Sequence, residues 1–175
     1  MEKNNVIKIG VIGAESTGKS SLCMLLANHY NTLWVPEFSR EYFNTRDINN
    51  YSLSDLVVIA DKQIKSELKK IKKATRFLFC DTTLITLKIW SELEFNKTPK
   101  FISNNLNKIK YDYYLITAND LEWEKDPLRK NKFNRDLILK LNINEVEKSN
   151  TPFSIIKGLN EARLNNSIKV LDTLF

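Results

Sequence analysis

Gly13-Ala14-Glu15-Ser16-Thr17-Gly18-Lys19-Ser20 is a complete G-x-x-x-x-G-K-[ST] motif, and its residue types suit it to one task, holding phosphate. Successive backbone N–H groups in such a loop form a nest for an anion. A helix that begins at Gly18 adds unpaired N–H groups and the positive end of its dipole. In this chemistry Lys19 reaches the β- and γ-phosphates of ATP, and the Ser20 hydroxyl sits on Mg²⁺.

Further chemistry is spaced along the chain. Pro36-Glu37 closes an apolar run, and Phe38-Ser39-Arg40-Glu41-Tyr42 follows it as a short helix. Ligands of α/β folds bind beyond the carboxyl ends of parallel strands, so Glu37 is placed to face a substrate hydroxyl, with Arg40 close by. Asp81 ends the apolar run Arg76–Cys80, the pattern of an acid that holds Mg²⁺ directly or through water. Thr82 follows it where a water-activating ATPase wants a second carboxylate. That favours phosphoryl transfer to a bound substrate over hydrolysis. Residues 118–132 are highly charged and carry Trp123, Arg129 and Lys130, which fits a lid over the phosphates. Trp123 is expected either to stack on a flat ring or to anchor the loop by hydrophobic contact. Gly158 stands at a strand-to-helix junction, where bare backbone can pass close to a ring such as adenine.

These residues need strands and helices to position them, and the pattern supplies both. Val6–Ile12 is a β-branched apolar run, so a buried strand, and Leu22, Leu25 and Leu26 follow at helical spacing. Strands are also expected at Thr32–Pro36, Arg76–Cys80, Tyr111–Thr117 and Pro152–Lys157. Helices are expected at Ser52–Lys73, Leu84–Phe95, Asn134–Lys148 and Glu161–Leu174, with a shorter one starting at Thr98-Pro99. Ser52 caps the long helix, with Asp55 three residues on, and its apolar stripe reads Ile64, Leu68, Ile71. Trp90 reads as a core aromatic. Strands alternating with helices define an α/β fold, a P-loop NTPase with a five-stranded parallel sheet flanked by helices.

The bulk numbers agree. The 175 residues make a single domain, 1–175, and 42% hydrophobic with 27% charged residues describes a soluble globular chain. Of only four glycines, three lie on the first strand and its loop, against roughly twelve expected at average usage. The net charge is +6, and its densest lysine cluster, within 62–73, reads as a solvated face with no aromatics interleaved to stack bases. No nucleic-acid partner is expected. Cys23 and Cys80 read as reduced core thiols of a cytoplasmic protein, and one histidine leaves little for a histidine metal site. There is no signal peptide and no apolar run long enough for a membrane span.

Several segments carry a resemblance: GAESTGKSSL (13–22), YNTLWVPEFSREY (30–42), LFCDTTLITLKIWSE (78–92), YDYYLI (111–116), DLEWEKDPLR (120–129) and GLNEARLNNSI (158–168). Nearly the whole chain resembles the ribosylnicotinamide kinase domain of bacterial NadR-type NAD-biosynthesis proteins. The resemblance implies a nucleoside- or nucleotide-kinase-like fold, Mg·ATP as donor, and phosphorylation of nicotinamide riboside at its 5′-hydroxyl. It makes 13–21, through Ser21, the phosphate loop and Asp81 the metal-side acid. Glu37, Arg40 and Tyr42 become substrate-side residues, and 120–130 the lid. Met1 lies just before the first strand, so the DNA-binding and adenylyltransferase parts of such proteins are not carried over. Relatives often have Asp two residues after the metal-side acid, where this chain has Thr83. Glu37 and Asp81 both remain candidates for the base. Two other readings stay open, a kinase for another nucleoside and an ATP-binding switch without turnover, and a homo-oligomer is left open. A GTPase-type switch is disfavoured, because Thr117-Ala118-Asn119-Asp120 lacks the lysine of a guanine-reading motif.

Overall fold

Ile7–Gly13 forms the first strand, β1, and every residue from Lys8 to Gly13 is buried. A strand covered on both faces wants a continuous apolar run, which this one supplies. The computed structural model describes residues 6–175, so residues 1–5 of the expected domain lie outside the described residues. From β1 the chain runs through α1 (Lys19–His29), β2 (Leu33–Val35), α2 (Phe38–Phe43), α3 (Leu53–Lys70), β3 (Phe77–Asp81) and α4 (Leu84–Phe95). It continues through α5 (Lys100–Leu106), β4 (Tyr113–Thr117), a 3₁₀ turn at Lys132–Asn134, α6 (Arg135–Lys148), β5 (Phe153–Ile156) and α7 (Glu161–Leu174).

The five strands are all parallel, in the order β2-β3-β1-β4-β5. β1 is therefore central, and its register pairs Val11 with Asp81 on one side and Gly13 with Thr117 on the other. The loop after β1 thus emerges between the ends of β3 and β4.

Alternation along the strands feeds two layers. Ile9, Val11, Phe77 and Phe79 pack with Leu22, Cys23 and Leu26 of α1 and Leu171 of α7. Ile12, Leu78, Cys80 and Ile116 pack on the other face with Ile85 and Ile89 of α4 and Val146 of α6. A third cluster joins α2 to α5 through Tyr42, Phe43, Leu56, Ile59, Leu87 and Ile102. Both cysteines are free and buried, as expected.

The helices correct the expected stripes in two places. On α1, Leu25 faces outward and Cys23 takes a core position. On α3, Leu68 is 52% exposed, and the buried positions include Gln63 and Glu67 instead. Glu67 is tolerated there because it is paired: Lys8 Nζ lies 2.5 Å away, and the Tyr111 hydroxyl donates to it at 2.8 Å. Removing one partner alone would strand a buried charge, at about 3–5 kcal/mol. The α3 start is as expected: the Asp55 carboxylate accepts from the Ser52 N–H at 2.8 Å and from its hydroxyl at 2.7 Å.

Candidate active site

Gly13 begins the loop at φ 142°, and a Cβ there would lie 2.4 Å from Thr117 Oγ1. The position needs glycine on both counts, backbone angle and close approach. Thr117 Oγ1 is 2.6 Å from Thr17 Oγ1, which also bonds the Ala14 carbonyl at 2.8 Å, so the loop is pinned to the end of β4. Lys19 opens α1 and bends back, its Nζ donating to the Ala14 carbonyl at 2.6 Å. Burial pushes its ammonium below the ordinary lysine value, against the pull of Asp81, Glu37 and Glu15.

Asp81 ends β3 beside this loop and accepts from the Ser20 hydroxyl at 2.5 Å through Oδ2. Its Oδ1 is buried without a hydrogen-bond partner among the described residues. Burial, and then the charge of Glu37, raises this carboxyl to about 6, with Lys19 and Ser20 pulling the other way. An unpartnered carboxylate oxygen beside a hydroxyl is a donor set that fits Mg²⁺. No cluster of three or more His, Cys, Asp or Glu is found among the described residues, so such an ion would fill its shell with phosphate oxygens and water. Thr83 caps α4, accepting from the Ile85 N–H at 3.3 Å, and is fully buried.

Glu37 is the N-cap residue of α2. Arg40 Nε lies 3.3 Å from Glu37 and its NH1 lies 3.0 Å from Asp126. Gln63 holds this corner in place: its Oε1 accepts from the Phe38 N–H at 3.0 Å, and its Nε2 donates to the Asp81 and Thr82 carbonyls at 3.4 Å. One buried amide thus links the end of β3 to the start of α2.

Two adjoining hollows meet here. The first is the phosphate cradle, lined by residues 15–21 with Glu37, Arg40 and Arg129. The second is a largely apolar cavity walled by Ile48, Tyr51, Ile89, Trp90, Leu128 and Ile138. Glu15, Lys19, Glu37 and Leu128 line both. The Trp90 indole N–H donates to the Tyr51 hydroxyl at 2.7 Å, and the two rings meet at 64° with centroids 5.6 Å apart. Ser39, Thr82 and Thr86 also line the cavity, and each has a buried hydroxyl with no partner among the described residues. Native interiors rarely leave such groups unpaired, so ordered water or a polar ligand is their expected partner.

The charged segment after β4 crosses over the loop. Ser16 Oγ donates to the Glu122 carbonyl at 3.1 Å and accepts from the Glu124 N–H at 2.9 Å. The Glu15 carboxylate accepts from the Asn131 N–H and side-chain amide, each at 2.9 Å. Arg129 donates to the Glu124 carbonyl at 2.8 Å and to Ser16 Oγ at 3.3 Å, so it stands over the cradle. A groove beside it is lined by Gly18, Ser21, Leu25, Leu121, Arg129 and Leu159.

Three sequence expectations are corrected. Tyr42 lines neither hollow: it is 8% exposed in the α2–α5 core, its hydroxyl donates to Asp55 at 2.6 Å, and Arg46 covers its ring. Helical spacing from Glu37 turned it inward. Trp123 lines none of these hollows either, and the Lys132 ammonium lies 5.6 Å over its ring. Gly158 has φ 110°, and a Cβ there would lie 3.0 Å from the Arg163 nitrogen, so its bare backbone serves the packing of α7 while Leu159 faces the groove. Trp90, read as a core aromatic, packs against the third core cluster and also walls the cavity, while sequence reasoning passed over Tyr51, Gln63, Ser39 and Thr86. The polar Gln63 inside the buried face of α3 was the available signal.

Sheet order, phosphate loop and flanking cavity define a P-loop nucleoside- or nucleotide-kinase fold. The chain belongs to the AAA domain family, whose model matches residues 8–163. It is 27% identical over 124 residues to the trifunctional NAD biosynthesis/regulator protein NadR of Escherichia coli strain K12, and equally to that of Salmonella typhimurium. Each match covers 69% of this chain and 30% of the relative, so the chain spans under a third of those proteins. The crystal structure of NadR in complex with NR matches with a TM-score of 0.81 at 16% identity, over 96% of this chain and 50% of that one. NadR in complex with NAD and AMP-PNP gives 0.78 at 17% identity, over 96% and 49%. Deoxyadenosine kinase from M. mycoides with bound dCTP gives 0.63 at 13% identity, over 96% and all of that chain. The resemblance to the NadR-type kinase domain therefore holds, and no helix among the described residues is long and apolar enough to cross a membrane.

Proposed function

We propose that this chain is a kinase domain that transfers the γ-phosphoryl group of ATP to the 5′-hydroxyl of nicotinamide riboside, giving nicotinamide mononucleotide in the cytoplasm. One observation carries the reading. The phosphate cradle opens directly into a cavity with an aromatic wall and three unpartnered hydroxyls, and Lys19 and Glu37 line both. The cradle suits the donor's phosphates. The cavity suits a nucleoside, its ring against Trp90 and Tyr51 and its sugar toward Ser39, Thr82 and Thr86. The similarity to NadR supports the choice of nucleoside.

Transfer needs the acceptor oxygen in line with the leaving oxygen, and positioning supplies much of the rate. Lys19 exchanges its Ala14 contact for phosphate oxygens and spreads the developing charge, with Arg129 adding charge from above. Glu37 orients the hydroxyl and takes its proton, because it borders both hollows. Ser20 and Asp81 would hold Mg²⁺, which neutralises phosphate charge when bound. Residues 118–132 act as the lid that excludes water.

The test is product formation from the purified protein with Mg·ATP and nicotinamide riboside, with uridine, cytidine and thymidine in parallel. Nicotinamide mononucleotide as the preferred product is expected. Preference for another nucleoside would replace the substrate, and ATP binding without transfer to any nucleoside would make the chain a switch.

A further inference from the structure

Arg163 is 4% exposed, and the reaction as described gives it no part. It lies in the first turn of α7, yet its side chain reaches three separate loops. Its Nε donates to the Gly158 carbonyl at 2.9 Å, and its NH2 donates to the Ala118 carbonyl at 3.4 Å. NH2 also pairs with Asp120, and NH1 donates to the carbonyl of Thr17 within the phosphate loop. Asp120 closes the ring, accepting from the Gly158 N–H at 2.7 Å. Only a planar guanidinium presents enough donors in a fixed fork to serve all of these at once.

The Thr17 contact matters because of peptide geometry. The described residues contain no cis peptide, so the Thr17 carbonyl and the Gly18 N–H lie on opposite sides of one planar unit. Holding the carbonyl outward turns that N–H toward the cradle, where Gly18 is a lining residue. A cationic donor on the carbonyl also polarises the N–H and strengthens it as a donor to an anion.

We propose that Arg163 is a positioning residue for the donor phosphates, acting through the Thr17–Gly18 peptide, with Asp120 holding the guanidinium in place. This rests on the reading of the cradle as the donor site and is independent of which nucleoside accepts. The acceptor cavity contains neither residue.

The test compares Arg163→Lys and Asp120→Asn with the unaltered chain, each first shown to be folded by its thermal unfolding transition. Asp120→Asn is isosteric and partly exposed, so it stays informative if Arg163→Lys fails to fold. Binding of ATP, inorganic tripolyphosphate and nicotinamide riboside is titrated by calorimetry, and KM is measured for donor and acceptor separately. Arg163→Lys is expected to weaken both ATP and tripolyphosphate about tenfold, with Asp120→Asn losing less in the same direction. Nicotinamide riboside binding stays within twofold. Unchanged tripolyphosphate binding in both folded variants would overturn the proposal, as would equal losses for donor and acceptor. Should the unaltered chain phosphorylate no nucleoside, the tripolyphosphate titration still decides the role of Arg163.

Discussion

The Ser20 hydroxyl and the Asp81 carboxylate lie 2.5 Å apart although 61 residues separate them in the chain. The contact exists because β3 pairs with β1, so the end of one strand stands beside the loop that leaves the other. The second Asp81 oxygen is buried without a partner among the described residues. Asp81→Asn keeps the shape and removes the charge. The expected result is a Mg²⁺ requirement shifted upward about 10–100-fold in assays of transfer. An unchanged Mg²⁺ titration would take Asp81 out of the metal site.

Lys19 lines both the cradle and the cavity, and its ammonium rests on the Ala14 carbonyl. Lys19→Met should lower turnover by about 10²–10³-fold or more, since a charge met in the transition state is lost. Single-turnover product formation measures it. Turnover close to that of the unaltered chain would refute the assignment of the loop.

Trp90 forms the aromatic wall with Tyr51. Trp90→Ala should raise KM for the nucleoside about tenfold, in proportion to a lost stacking surface of about 1.4 kcal/mol, and leave KM for ATP unchanged. Equal changes in both constants would show a general loosening instead.

Tyr42 and Asp55 form a structural pair, so Tyr42→Phe should leave nucleoside binding intact and cost about 1 kcal/mol of stability. The Tyr42 hydroxyl, followed by the Ser52 cap contacts, holds the Asp55 carboxyl below its ordinary value of 3.8. A lowered carboxyl contributes stability above the unfolded value and loses it as pH falls through the folded one. Asp55→Asn should therefore be less stable than the unaltered chain at pH 7, with the gap closing below pH 3.8 in denaturant titrations. A gap independent of pH would contradict the ionised cap.

Much of the fold was legible because the signals are local. The strand run before Gly13 and the Ser52–Asp55 cap each depend on neighbours within a turn or two. The wall of the cavity was not legible for the opposite reason. Tyr51 comes from the stretch before α3, Trp90 from α4 and Ile138 from α6, and nothing in any one segment shows that they meet. Tyr42 and Leu68 mislead in the same way. A helix face is apolar or polar by spacing, but what it faces depends on packing elsewhere. Glu67 is buried on α3 because Lys8 from β1 and Tyr111 from the stretch before β4 arrive to pair with it.

The sequence by itself determined where the phosphate loop falls, since its eight-residue motif stands between a buried strand and a helix. It also determined the alternation of strands and helices that makes the sheet parallel. Only the tertiary structure decided which charges and hydroxyls share a cavity, and that Arg163 reaches back to the Thr17 carbonyl. The physical reason is the strand order. Placing β1 between β3 and β4 brings Asp81, Thr117 and the loop together at the C-terminal ends of the strands, and no local pattern encodes that order.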